Sequence, residues 1–130
     1  MDELTEAEMN ELGDRLLAGI LAADETVVRA AYSPDAKIWH NFDQREQTVE
    51  ENLATLHDMH RRVTGLQYTK IQRFPSPGGF VQQHVLVGDA KHGPLKMPAM
   101  IRFWVADGRI TRLEEYLDTR QAMVMYTSAG

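Results

Sequence analysis

Apolar Met9, Leu12, Leu16 and Ile20 recur at helical spacing behind Thr5-Glu6-Ala7-Glu8, a segment in which the Thr hydroxyl and the Glu carboxylate would each satisfy an amide orphaned at a helix start. The pattern predicts a first helix. Asp24 is placed to cap a short second helix carrying Val27, Val28 and Ala31, which Ser33-Pro34 should stop because the residue before proline is pushed out of the helical region. A strand over residues 36–41 follows. Thr48-Val49-Glu50-Glu51 repeats the capping box, and Val49, Leu53, Leu56, His60 and Val63 then mark the apolar face of a third helix that Gly65 should close. Residues 66–74, 80–87, 99–105 and 109–117 read as strands separated by turn-forming residues. The last two are joined through Asp107-Gly108, the strongest hairpin signal in the chain, because both residues tolerate positive φ. The order ααβαββββ predicts a single α+β domain over residues 1–130, with three N-terminal helices on one face of a curved, mostly antiparallel sheet and a pocket beneath them.

Composition narrows the function classes. A chain of 130 residues is long enough to bury one core without disulfides. A formal net charge of −5, with no concentration of Lys and Arg, argues against nucleic acid as a partner. Without cysteine there is no thiol catalysis and no thiolate metal site, as suits a reducing compartment. The acidic start Met1-Asp2-Glu3-Leu4-Thr5-Glu6-Ala7-Glu8 does not look like a signal peptide, and no apolar run approaches membrane-spanning length. A cytoplasmic protein without a membrane partner is the expectation. No His-Glu-x-x-His spacing, glycine-rich phosphate loop or Gly-x-Ser-x-Gly elbow is present, so neither a metal nor a cofactor is expected.

Two segments carry a resemblance to a known family. Tyr32-Ser33-Pro34-Asp35-Ala36-Lys37-Ile38-Trp39-His40-Asn41 is similar to the loop into the first strand of the nuclear transport factor 2-like superfamily. Asp107-Gly108-Arg109-Ile110 through Glu115-Tyr116-Leu117-Asp118 is similar to its closing hairpin. The resemblance covers nearly the whole chain and points to the SnoaL-like and ketosteroid isomerase-like branch. It implies the cone-shaped form of this fold, which serves many activities. By the same resemblance His40 falls where ketosteroid isomerase has its Asp base, whereas Met100 and Leu16 stand where that enzyme has its two oxyanion donors. Gln82, His84 and Glu115 fall on the catalytic positions of limonene epoxide hydrolase, and only Glu115 keeps its chemical type. His40 with His84 loosely matches the histidine pair of scytalone dehydratase, and Glu115 or Asp118 the carboxylate of a SnoaL-like cyclase.

The candidate site follows from these positions. Alternation puts Phe80, Gln82, His84 and Leu86 on one face of their strand and Val81, Val85 and Val87 on the other. Pattern alone would bury the valines, whereas the resemblance turns Gln82 and His84 into the cone. In the next strand Met100, Arg102 and Trp104 oppose Ile101, Phe103 and Val105. The expected pocket is lined by Trp39, Phe80, Gln82, Met100, Arg102, Trp104, Leu113 and Leu117, with His40, His84 and Glu115 as the catalytic groups. Arg102 would hold a carboxylate or an oxyanion, or else make a surface ion pair. Asp118 is a second carboxylate candidate or, alternatively, the cap of a final short helix; His60 is a core or pocket-wall residue. The resulting expectation is a small cofactor-free enzyme doing acid–base chemistry on an apolar small organic molecule. A non-catalytic ligand-binding or dimerisation module stands as the alternative, and so does a pocket collapsed by Trp39, Phe74, Met100 and Trp104. A homodimer is expected, because the stripes Val81/Val85/Val87 and Ile101/Phe103/Val105 would otherwise lie bare.

Overall fold

A computed structural model describes residues 4–126; the acidic start Met1-Asp2-Glu3 lies outside the described residues. Helices α1 (Glu6–Leu21), α2 (Glu25–Ala31) and α3 (Val49–Arg62) lie where the apolar spacing puts them. Both capping boxes form: Thr5 accepts from the Glu8 amide at 3.1 Å and Thr48 from the Glu51 amide at 3.2 Å, while each Glu side chain accepts from the cap's own amide. Strands β1 (Tyr32–His40), β2 (Arg45–Gln47), β3 (Val63–Ser76), β4 (Gly79–Ala90), β5 (Gly93–Ala106) and β6 (Arg109–Leu117) form one sheet in the order β2-β1-β6-β5-β4-β3. Every pairing is antiparallel except that of β1 with β6. A short helix α4 (Thr119–Ala122) and a 3₁₀ turn over Met123–Met125 end the described chain. The sheet curves around the helices, giving the expected α+β cone.

Several boundaries differ from the sequence reading for local physical reasons. Gly65 does not close α3, which passes directly into β3 at Val63; with φ +67° it occupies a bulge where the β3–β4 register shifts between Thr64 and Gln67. Ser33-Pro34 lies inside β1, at the interval between Tyr32 and Lys37 where pairing with β6 lapses and no amide is missed. Strand β5 begins at Gly93 despite Pro94 and Pro98, because β6 ends at Leu117 opposite Ala99 and leaves residues 93–98 an edge with no strand partner on that side, met only by the Asp118 amide at Pro98 and the Gln121 side chain at Lys96. The Asp107-Gly108 turn has φ of +52° and +75°, the left-handed pair that a two-residue hairpin requires.

The core lies between the concave face of the sheet and the helices. Met9, Leu12, Leu16 and Ile20 of α1 and Val49 and Leu53 of α3 pack on Ala36, Ile38, Phe80, Ile101, Phe103 and Leu113. Phe80 and Phe103 stack at 4.4 Å between centroids with neither ring exposed. This register corrects the expected face of β5. Opposed residues of an antiparallel pair share a face, and Gln82 is opposite Ile101 and Phe80 opposite Phe103. Ile101 and Phe103 therefore point inward, while Met100, Arg102 and Trp104 point outward with Trp39, Tyr116, Val81 and Val85. Replacing Phe103 by Ala should cost about 3–5 kcal/mol in urea unfolding, and Arg102→Ala, at an exposed position on the other face of β5, about 0.5 kcal/mol or less. The opposite ranking would mean that β5 presents its other face to the core.

Candidate active site

A cavity of about 280 Å³ opens between α1, α3, the concave sheet face and the C-terminal turn. Its walls are mostly apolar: Leu16, Leu17 and Ile20 from α1, Leu56 and Met59 from α3, and Leu86, Met97, Ile101, Leu113 and Leu117 from the sheet. Into this surface the chain sets His40, Glu115, Tyr32 and Tyr68, with Asp43 and Asp58 also in the wall. None of the lining residues is Lys or Arg.

The polar centre is built by the parallel pairing of β1 with β6, in which His40 stands opposite Glu115. His40 Nε2 lies 3.1 Å from Glu115 Oε1. A carboxylate only accepts, so Nε2 carries the proton and Nδ1, without a partner among the described residues, is free to take another. Asn41 locks this end of the sheet. Its side-chain amide donates to the Leu117 carbonyl at 3.2 Å and its Oδ1 accepts from the Leu117 amide at 3.0 Å, prolonging the ladder by one rung of side-chain bonds. Burial works against the His40 imidazolium, but the Glu115 hydrogen bond and charge, with Asp43 adding to them, outweigh it and hold the histidine above its ordinary range.

Gln47, Asn52, Thr55 and Tyr126 also reach the wall, and Tyr32 and Tyr68 are the polar side chains most affected by the pair. Burial, with the Glu115 charge adding to it, pushes both phenols far up, so both remain protonated and offer O–H donors. Neither stood out in the sequence. Tyr32 is the first residue after α2, and only the turn of the chain directly into β1 brings its ring inside.

His84 is buried as its strand face implies, at 2% exposure, but it is not a wall of the cavity. Its ring meets Tyr68 edge to face at 4.9 Å between centroids, and its Nδ1 lies 2.9 Å from the Gln82 side-chain nitrogen. Burial, helped by the positive charge of Arg73, drives its pKa down despite the opposing pull of Glu115. Two histidines near one carboxylate are thus pushed in opposite directions.

The remaining sequence candidates scatter. Leu113 and Leu117 line the cavity. Phe80 lies deeper, in the aromatic core. Trp39 meets Tyr116 in a tilted contact on the outer face, with ring centroids 5.2 Å apart, and the Arg102 guanidinium lies 4.4 Å over the Trp104 ring there. Trp39, Met100, Arg102 and Trp104 therefore contribute nothing to the pocket, nor do they collapse it with Phe74, which is 47% exposed. The cause is strand register: pairing with β4 turns Met100, Arg102 and Trp104 outward, and Trp39, next to the inward His40 on β1, takes the outer face opposite Glu114. Asp118 caps α4, accepting from the Gln121 amide at 3.1 Å. His60 donates from Nε2 to the Ile20 carbonyl at 2.6 Å, closing the end of α1 beside a separate small recess. Among the described residues no group of three or more His, Asp or Glu side chains is placed to hold a metal ion, and no helix is long and apolar enough to cross a membrane.

No protein-family model matches the chain, and no curated protein matches it in sequence. Solved structures do match in shape. A protein assigned as a SnoaL-like polyketide cyclase from Shewanella denitrificans superposes with a TM-score of 0.77 at 12% identity, covering 91% of this chain and 95% of that one. A nuclear transport factor 2-like protein from Burkholderia xenovorans gives 0.75 at 14% identity over 93% and 98% of the two chains. A protein of ketosteroid isomerase-like fold from Catenulispora acidiphila, solved in complex with trimethylamine, gives 0.72 at 13% identity over 82% and 84%. At such identities the common property is the backbone and not the chemistry. The chain has the nuclear transport factor 2-like fold, the cone shared by SnoaL-like and ketosteroid isomerase-like proteins.

Proposed function

We propose that the protein is a small acid–base enzyme acting on a largely apolar organic molecule that carries a carbonyl or hydroxyl group. The observation that carries this reading is the His40–Glu115 pair, 3.1 Å apart in the wall of an otherwise apolar cavity. His40 Nδ1 takes a proton from the substrate; Glu115 fixes the imidazole through Nε2 and stabilises the imidazolium that forms. Tyr32 and Tyr68 supply O–H donors for charge developing on the substrate oxygen. The base, its partner and the donors are all side chains, so the scheme calls on no cofactor. Isomerisation, dehydration, cyclisation and hydration all have this form. Because the lining residues include no Lys or Arg, a neutral substrate fits better than a carboxylate or a phosphate.

The outer sheet face suits a second copy of the chain. Trp39, Tyr116, Met100, Val81 and Val85 form an apolar surface in which Tyr116 is 55% exposed, the kind of patch that soluble monomers seldom leave bare. This face, rather than a stripe including Ile101 and Phe103, is the proposed contact. Light scattering on the eluting peak should give twice the 14.8 kDa chain mass, and Tyr116→Glu should return it to one. A wild-type peak at a single chain mass contradicts the dimer.

Screening ketones, β-hydroxy carbonyls and epoxides should identify a substrate on which His40→Ala lowers turnover about 10² to 10⁴-fold. Glu115→Gln should lower it too, while leaving the cavity filled. The pH dependence has a definite sign. The reacting form is neutral His40, so kcat/KM falls as pH drops through a pKa above the ordinary histidine range, and Glu115→Gln moves that limb to lower pH. An apolar ligand that co-purifies without turnover, or near-normal turnover in His40→Ala, rules the enzymatic scheme out and leaves a binding module.

A further inference from the structure

Behind the cavity wall runs a chain of polar side chains that the His40–Glu115 scheme does not use. It starts at Asp14 on α1, whose Oδ1 accepts from Arg73 Nη1 at 2.7 Å. Asn10 of the same helix accepts from that nitrogen through its side chain at 3.2 Å. The Arg73 side chain is only 5% exposed and lies against Gly13, where an added Cβ would come within 2.5 Å of Nε. Glycine inside a helix is costly, and here it leaves room for the guanidinium. Arg73 Nε then donates to Gln82 Oε1 at 2.9 Å, and the Gln82 nitrogen stands 2.9 Å from His84 Nδ1.

Hydrogen-bond polarity fixes every proton along this chain. Guanidinium groups only donate, so the Gln82 oxygen faces Arg73 and the Gln82 amide nitrogen faces His84. That nitrogen also only donates, so His84 Nδ1 must accept and the ring proton sits on Nε2. Protonating Nδ1 would set donor against donor beside a fixed positive charge. Yet Nε2 is buried and has no partner among the described residues. A buried donor without a partner is costly. Such an orphan is expected where a ligand supplies the missing acceptor. The ring packs on Tyr68, and both Tyr68 and Leu86, the next residue on this face of β4, line the cavity, which sets His84 directly behind its wall.

We propose that His84, held as the Nε2–H tautomer by Arg73 through Gln82, is a fixed neutral hydrogen-bond donor to the oxygen of the molecule bound in the cavity. The proposal rests on the reading of the cavity as an active site and adds a division of labour: His40 moves the proton and His84 binds the oxygen. Arg73 and Gln82 are positioning residues. His84 does not line the cavity and Tyr68 does, so an acceptor meets Nε2 only once the Tyr68 ring turns aside, and that movement is part of what we propose. The charged and titratable groups that face His84 are Arg73 and Tyr68 from β3 and Glu115 from β6, and none of them accepts from Nε2.

Long-range nitrogen–proton spectra of the isotope-labelled histidines test the tautomer without any substrate. Wild type should show His84 neutral with the proton on Nε2 throughout the range in which His40 titrates. Gln82→Glu should move a proton onto Nδ1, because a carboxylate can only accept. A wild-type His84 protonated on Nδ1, or one that titrates together with His40, overturns the proposal. Acetophenone and ethylbenzene, similar in shape, test the donor role by calorimetry. His84→Leu should lower the ratio of ketone to hydrocarbon affinity roughly tenfold, with the His40 resonance unmoved as the check on folding. An unchanged ratio overturns the donor role alone. If wild type binds neither compound, the cavity reading fails together with the ligand half of this proposal, and the spectra still decide the tautomer.

Discussion

The parallel pairing of β1 with β6 is the constraint on which the site depends. It joins the strand that follows the first two helices to the last strand of the chain, and it stands His40 directly opposite Glu115. A half-buried carboxylate is costly unless something compensates its charge, and the imidazole facing it does so. Asn41 holds the register by bonding both backbone groups of Leu117. A slip of one residue would turn Glu115 to the outer face and put Glu114 or Tyr116 in its place.

The rest of the cone supplies an environment for this pair. Helices α1 and α3 and the inward residues of β4, β5 and β6 make most of the wall apolar, so the polar groups set into it interact in a less polarisable surrounding than open water. The two inward-facing histidines differ in company and not in kind. His40 has a carboxylate within hydrogen-bond distance and can carry charge; His84 has Gln82 and, beyond it, Arg73, and cannot easily do so. Environments that separate two titratable groups in this way are how one site holds a proton acceptor and a neutral donor together.

Much of the fold was legible in the sequence. Thr5-Glu8 and Thr48-Glu51 marked two helix starts, and Asp107-Gly108 marked the closing hairpin, because each depends on local chemistry alone. Of the site, His40, Glu115, Leu113 and Leu117 were found at the cavity and Gln82 and His84 in the interior beside it. Residues on β5 were assigned to the wrong face. Met-Ile-Arg-Phe-Trp-Val carries large apolar side chains on both faces, so alternation alone could not orient it, and only pairing with β4 does. Arg73 and Tyr32 were invisible for a related reason. A buried arginine reads as a surface residue until its partners Asp14 and Asn10 of α1 and Gln82 of β4 are brought to it. Strand β2 is too short to show a pattern, and Pro94 and Pro98 hid the first half of β5, where an edge without a second strand partner tolerates them.

The central claim, that Glu115 holds His40 in the cavity as a histidine able to carry charge, is tested most directly by following the His40 ring resonances through pH in the wild type and in Glu115→Gln. Burial alone would depress the His40 midpoint, so the account requires a wild-type value above the ordinary histidine range that falls when the carboxylate is removed. A wild-type midpoint at or below that range, or one unmoved by Glu115→Gln, would contradict it.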